Sequence, residues 1–304
     1  MNPRSDSQLA ASYRRCERLT WRYGTTYYWG ALLLPTQSRR HVHAVYALCR
    51  LADDVVDDMR GDVGQRRDGL AGFRTRFSAD LAAGASDDPV LAAVVHTVRT
   101  CGIDPECFDR FFDAMAMDLD VATYDTWDDL LGYMEGSAAV IGEMMLPVLR
   151  PLDPAAFQPA RSLGLAFQLT NFLRDVGEDL DRGRVYVPQE DLTRFGADPW
   201  QRRADPAWRA LMRFEIERCR LLYAHADEGV AMLPPRSARC VSTARALYSR
   251  ILEQIERADS DVFARRARVP TWRKAALAAR VMMTGPTSTK GRLDGTSSPA
   301  ASER

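Results

Sequence analysis

Lysine is almost missing from this chain of 304 residues: of 41 basic side chains only Lys274 and Lys290 are lysines. A P-loop needs a lysine directly after its glycines, and neither has that setting. Histidine is scarce too, at four residues. His41 and His43 lie two apart, so on a helix they point in different directions and make poor joint metal ligands. The six cysteines, at 16, 49, 101, 107, 219 and 240, form no CxxC pair, which argues against a zinc knuckle or a thioredoxin-like centre. No excess of one charge exists either: 41 acidic residues balance 41 basic ones, which argues against nucleic acid as a partner held by bulk charge. No uncharged apolar run approaches the roughly 18 residues of a membrane span. Arg4, Arg14, Arg15, Arg18 and Arg22 are not followed by the apolar core of a signal peptide. The expectation is a soluble protein of the reducing cytoplasm. No GxGxxG opens a helix after a strand, so a Rossmann nicotinamide site is not expected. Ser137 lacks the Gly-x-Ser-x-Gly setting of a hydrolase nucleophile.

What is present is helix. Hydrophobic residues make up 46% of the chain, enough for a sizeable core. Asp88-Pro89, Asp104-Pro105, Asp153-Pro154 and Asp205-Pro206 read as helix starts: the carboxylate caps free N–H groups, and proline fits a first-turn position whose N–H would be unpaired. Thr126 and Asp129 form a variant capping box. No alternating β-branched stretch is long enough for a sheet. The pattern predicts helices near 6–23, 38–60, 65–83, 89–101, 105–122, 127–150, 154–181, 206–232, 236–258 and 271–283, and a long loop over 182–205. The expected organisation is one all-helical domain over 1–283 and a disordered tail, rich in Gly, Ser, Thr and Pro, over 284–304.

Two acidic helices carry the chemistry. At 100° per residue, Val42, Tyr46, Cys49, Asp53 and Asp57 fall within an arc of about 80°, so two carboxylates extend an apolar, inward stripe. Gly164, Gln168, Asn171, Asp175 and Asp179 span a like arc on a helix that is otherwise apolar nearly all round, and so buried. Like charges at i,i+4 cost a few tenths of a kcal/mol, and more when desolvated. An isolated DxxxD is usually a solvated face. Two such pairs on inward stripes instead require cations, and oxygen donors without His or Cys suit Mg²⁺ or Mn²⁺, with positions left open for phosphate oxygens. The separation of Asp53 from Asp175 equals that of Asp57 from Asp179, as in two related hairpins. The pattern reads as two acidic walls gripping metal ions and a diphosphate.

The segments CRLADDVVD (49–57) and QLTNFLRDVGEDLDRGRVYVPQEDL (168–192) resemble the two signatures of the squalene/phytoene synthase family, and within it those of bacterial members that make phytoene. YGTTYYWGALLLP (23–35), GYMEGSAAVIG (132–142) and YSRILEQIERADSDVFARRARVPTWRK (248–274) also resemble family segments, and the likeness covers about residues 18–283. It implies an all-α, isoprenoid-synthase-type bundle around a central cavity. The implied reaction is head-to-head joining of two geranylgeranyl diphosphates through a cyclopropyl diphosphate to phytoene, as in carotenoid biosynthesis. By the family pattern Asp53, Asp57, Asp175 and Asp179 hold metal-bound diphosphate. Arg50 and Arg174 face its oxygens, and Tyr248, Arg266 and Lys274 match further phosphate-contacting positions. Gln168 and Asn171 sit beside the metal site, and Tyr27, Tyr133, Ala138, Gly142 and Tyr186 line the cavity.

The chain departs from the family in having Glu at position 135, where many relatives have Tyr, and Tyr23-Gly-Thr-Thr26 where some have His-Ser-Lys-Ser. Rings of Tyr27, Tyr28, Trp29 and Tyr133 are candidates to face an allylic cation. Proton loss ends the reaction at phytoene; hydride delivery from a nicotinamide would give squalene instead, and none is expected here. The alternatives are a squalene, dehydrosqualene or hydroxysqualene synthase acting on farnesyl diphosphate, or a non-catalytic helical assembly or lipid-binding protein, which would be expected to lose the carboxylates. Lipid-tailed substrates imply peripheral membrane contact, through an apolar rim such as 28–34 or 144–149.

Overall fold

A computed structural model describes residues 3–58 and 60–264. The described residues form twelve α-helices: α1 (Pro3–Tyr23), α2 (Thr25–Ala31), α3 (Thr36–Val56), α4 (Val63–Ala83), α5 (Leu91–Cys101), α6 (Glu106–Met117), α7 (Trp127–Met134), α8 (Val140–Leu149), α9 (Phe157–Asp181), α10 (Gln189–Phe195), α11 (Pro206–Glu228) and α12 (Pro235–Arg257). No strand occurs among them; the one isolated bridge pairs Thr123 with Val185. The chain is all-α, as its patterning predicts.

The four Asp-Pro starts behave as caps. Asp205 accepts from Trp208 N at 2.8 Å and Asp153 from Ala155 N at 2.8 Å. Asp104 accepts from Glu106 N at 3.0 Å, and Asp88 from Val90 N at 2.7 Å. Each is worth about 1 kcal/mol against alanine. Thr126 and Asp129 close their capping box in both directions.

Three local departures from the expected pattern have physical causes. The expected helix 127–150 is broken by a π-turn over Glu135–Ala139, where the chain presses so close to α6 that a Cβ on Gly136 would overlap the Arg110 carbonyl. A π-turn is a common device at functional sites. Second, α2 fills a stretch in which no helix is expected, because packing against α12 and α1 holds its seven residues; so short a helix has little stability of its own. Third, the expected loop 182–205 contains α10. Its start carries Glu190 and Asp191, and Gly196 ends it in the left-handed conformation. The expected helix 271–283, the tail 284–304, Arg266 and Lys274 lie outside the described residues.

The central helices are α3 and α9. α9 packs against α11, α8, α12 and the π-turn; α3 packs against α1, α5, α4 and α8. Fully buried Leu48 and Leu173 represent their inward faces, each contributing about 2 kcal/mol of burial. The Tyr13 hydroxyl pins α1 to α3 and α5 through His41 Nδ1 at 3.1 Å, His96 Nδ1 at 2.8 Å and Thr97 Oγ1 at 3.0 Å. Glu135, the departure from the family pattern, joins Glu143 in a network with Arg110 and Arg161 that ties the π-turn and α8 to α6 and α9.

Candidate active site

Between α3 and α9 lies a cavity of about 650 Å³. Asp53, Asp57, Asp175, Asp179, Arg50, Arg174, Gln168, Asn171, Tyr27, Tyr133, Ala138, Gly142, Tyr186 and Tyr248 all line it. Of the site residues expected from the sequence, these fourteen are brought to one place. Tyr28 and Trp29 are not in its lining. They pack with Trp21, at ring distances of 4.9 Å and 6.2 Å, and Tyr28 stacks on His43.

Both acidic pairs sit at helix C-termini, and neither α3 nor α9 carries a basic residue in its last turn. The negative end of the helix dipole disfavours the carboxylates at the last turns, those of Asp53, Asp57 and Asp179, by about 0.3–1 kcal/mol each. Burial and the neighbouring Asp57 push the Asp53 carboxyl up to about 7. Burial and Asp175 push Asp179 up to about 7 as well. Negative charge thus exceeds what the protein itself neutralises.

The arginines that do respond are local. Arg174 donates through Nε to Asp175 Oδ1 at 2.7 Å and through Nη2 to the second oxygen. Arg50 pairs with Asp54, on the outer side of α3, and lies 4.5 Å over the Tyr23 ring. From the loop after α9, Arg182 donates to Asp57 Oδ2 at 3.2 Å, and Arg184 lies 3.6 Å from Asp57 Oδ1. The two acidic walls therefore face each other, with Arg182 and Arg184 between them.

Two aromatic groups line the remainder. Tyr27, Tyr46, Phe167 and Tyr248 form one; Phe167 stacks on Tyr248 at 4.2 Å, and Tyr27 lies 5.5 Å from Tyr248. Tyr133, Phe172 and Tyr186 form the other, with Phe172 stacked on Tyr186 at 3.9 Å. Ala138 and Gly142 keep the wall thin where α8 and the π-turn cross α9; a Cβ on Gly142 would overlap the Ala160 carbonyl.

The donor set fits hard divalent cations. It is all oxygen, it carries excess negative charge, and Asn171 Oδ1 is buried without a hydrogen-bond partner. Among the described residues no group of three or more His, Cys, Asp or Glu gathers closely enough to hold a metal ion by itself. Mg²⁺ needs only one or two carboxylates when substrate phosphates complete its shell, so paired carboxylates on separate walls are a sufficient donor set for it.

Sequence patterning missed Asp118, Glu178, Arg182 and Arg184, all of which line the cavity. Glu178, Arg182 and Arg184 lie within the second acidic segment and could have been read from it. Asp118 follows α6 alone, with no periodic signal. The stretches expected to form a membrane rim are mostly buried: in 28–34 only Tyr28, Trp29 and Leu32 keep partial exposure, and in 144–149 only Met145 and Pro147. They serve the helix interfaces instead. The exposed aromatics nearby are Trp21 and Tyr23, at 49% and 44%. No helix among the described residues is long and apolar enough to cross a membrane.

Known proteins share the sequence and the fold of this chain. Residues 21–273 match the family model described as squalene/phytoene synthase. The chain is a member of the squalene/phytoene synthase family. A relative named phytoene synthase, from Arthrospira platensis, is 37% identical over 92% of this chain and 97% of its own length. A relative named 15-cis-phytoene synthase, from Synechococcus elongatus, is 36% identical over 89% of this chain and 92% of its own. A crystal structure of a dehydrosqualene synthase with bound ligand superposes with a TM-score of 0.84 at 27% identity, covering 92% of this chain and 98% of that one. The squalene/phytoene synthase fold thus carries the two acidic walls of this chain on α3 and α9.

Proposed function

We infer that this chain is a prenyltransferase that joins two geranylgeranyl diphosphates head to head, through a cyclopropyl diphosphate, to give phytoene for carotenoid biosynthesis. The observation that carries the reading is the meeting of Asp53 and Asp57 with Asp175 and Asp179 around one aromatic-lined cavity, in a chain whose relatives are named phytoene synthases. We take residues 1–283 as one catalytic domain.

Asp53, Asp57, Asp175 and Asp179 would hold Mg²⁺ or Mn²⁺, which supplies positive charge against that building on a departing diphosphate. Arg50, Arg174, Arg182 and Arg184 add fixed positive charge at the same end of the cavity, so stabilisation is electrostatic and preorganised. Arg266 and Lys274 are assigned to phosphate contact on the family pattern alone. Gln168 and Asn171 orient the head group. The rings of Tyr27, Tyr46, Phe167 and Tyr248, and of Tyr133, Phe172 and Tyr186, exclude water and turn electron-rich faces to the allylic cation. Ala138 and Gly142 leave room for the hydrocarbon tail. Proton loss ends the sequence, so no nicotinamide is required.

Peripheral membrane contact from the cytoplasmic side suits substrates with lipid tails. Exposed Trp21 and Tyr23, beside the exposed arginines Arg14, Arg15, Arg18 and Arg22 of α1, form the surface we assign to it. Alkaline carbonate should release the protein from membranes; extraction by detergent alone would count against a peripheral mode.

The reading is tested by incubating purified protein with C15 and with C20 prenyl diphosphates, with and without NADPH, and identifying the hydrocarbon by mass. Phytoene from the C20 substrate without NADPH is expected. Squalene or dehydrosqualene from the C15 substrate would favour the farnesyl alternative, and no hydrocarbon from either would favour a non-catalytic role.

A further inference from the structure

Asp118 lies outside both acidic segments, yet it lines the same cavity. It follows the end of α6. Both of its carboxylate oxygens are engaged. Tyr133 donates its hydroxyl to Oδ2 at 2.7 Å, and Tyr186 donates to Oδ1 at 3.2 Å. Arg184 fixes the backbone at the same residue by donating to the Asp118 carbonyl at 2.9 Å. The two tyrosines belong to a stacked group with Phe172 and Tyr124, in which Tyr186 lies 3.9 Å from Phe172 and 6.1 Å from Tyr124. One carboxylate therefore determines where two phenol protons point, and it does so for the rings that form one wall of the reaction chamber.

We propose that Asp118 is a positioning residue for the cationic steps: by accepting the hydroxyl protons of Tyr133 and Tyr186 it holds both rings in place and turns only ring faces and oxygen lone pairs toward the cation.

The chemistry follows from hydrogen-bond direction. A phenol that donates to a carboxylate carries more electron density on its oxygen and ring than one that donates to water, and a cation is attracted to that density. A phenol proton left unengaged would point its positive end into the cavity or recruit a water, and water quenches an allylic cation to an alcohol. Asp118 is assigned to the tyrosines, which it meets at 2.7 and 3.2 Å, and the Mg²⁺ dependence of its variants separates that role from one at the metal. The proposal rests on the prenyltransferase reading above.

The test is Asp118→Asn, compared with wild type on geranylgeranyl diphosphate, with Asp118→Glu as the conservative variant and circular dichroism as the check that the helices form. An amide keeps the shape but offers one acceptor oxygen in place of two. The expected result is a fall in kcat of about tenfold or more with KM within about twofold, the pattern of an interaction made only in the transition state. Cyclopropyl diphosphate or prenyl alcohol should accumulate at the expense of phytoene, and Asp118→Glu should recover part of the rate. In a Tyr133→Phe/Tyr186→Phe background, Asp118→Asn should add little further loss.

An unchanged kcat and product pattern would overturn the proposal. So would additive losses in the double-mutant cycle, or a rise of about tenfold in the Mg²⁺ concentration needed for half-maximal rate, which would make Asp118 part of the metal site. If Asp118→Asn fails to fold, the Asp118→Glu and tyrosine variants decide by the same product ratio. Failure of wild type to make phytoene would instead sink the reaction assignment itself.

Discussion

Arg184, three residues beyond the end of α9, lies 3.6 Å from Asp57 at the end of α3. With Arg182, it is where one acidic wall meets cations carried by the other, and its side chain is largely buried. Burial opposes its charge, but Tyr186, Asp118 and Asp57 outweigh burial and raise its affinity for the proton. Replacement by Gln removes a fixed positive charge from the end of the cavity assigned to the diphosphate. Arg184→Gln should raise KM for the prenyl diphosphate by about tenfold or more. Steady-state kinetics check this, and unchanged KM and kcat would remove Arg184 from diphosphate binding.

Asp53 sets function against stability. Its carboxyl is pushed from the ordinary range to about 7 by burial and by Asp57. A folded value above the unfolded one means that stability is fully present below the unfolded pKa and is lost as pH rises through the folded one. Asp53→Asn should therefore melt at or above the wild-type temperature at pH 8 in EDTA, while its turnover falls by about a hundredfold or more. Paired melting curves and product assays check both halves. A variant with near-normal activity would contradict the metal assignment, and one that melts well below wild type would contradict the electrostatic cost.

Much of this site was legible because it lies on two regular helices. The 3.6-residue period alone puts Asp53 and Asp57 on the stripe of Val42 and Tyr46, and Asp175 and Asp179 on that of Gln168 and Asn171. What period cannot show is a residue placed by a turn. Asp118 follows the last turn of α6, and its meaning appears only where Tyr133 and Tyr186 arrive from distant segments. The π-turn at Glu135–Ala139 was equally hidden, since its cause is the close approach of the Arg110 carbonyl, a tertiary contact. The rim expectation failed for the same reason: 28–34 and 144–149 are apolar because they pack inside, and composition does not separate an interface from a surface.

The histidines predict how the fold responds to acid. Burial, then Arg39, pulls His43 down to about 4; burial, then Arg40 and His96, does the same to His41. Neither ring nitrogen of His43 has a hydrogen-bond partner. Between the unfolded value near 6.5 and the folded value near 4, the unfolded state binds more protons, so stability falls as pH drops through that window. The slope is about 1.4 kcal/mol per pH unit for each histidine. His43→Phe should remove one histidine's share of the slope, read from urea unfolding at pH 7.5, 6.0 and 5.0. An unaltered slope would mean that His43 is not held neutral.

The claim on which the account depends is that the two walls act together on one diphosphate through divalent ions. Calorimetric titration of the full chain with inorganic diphosphate tests it most directly, in Mg²⁺ and in EDTA, for wild type, Asp53→Asn and Asp175→Asn. The account predicts binding by wild type in Mg²⁺, loss of that binding in EDTA, and loss in each variant although it alters only one wall. Binding that survives EDTA, or that persists when either aspartate pair is broken, would contradict it.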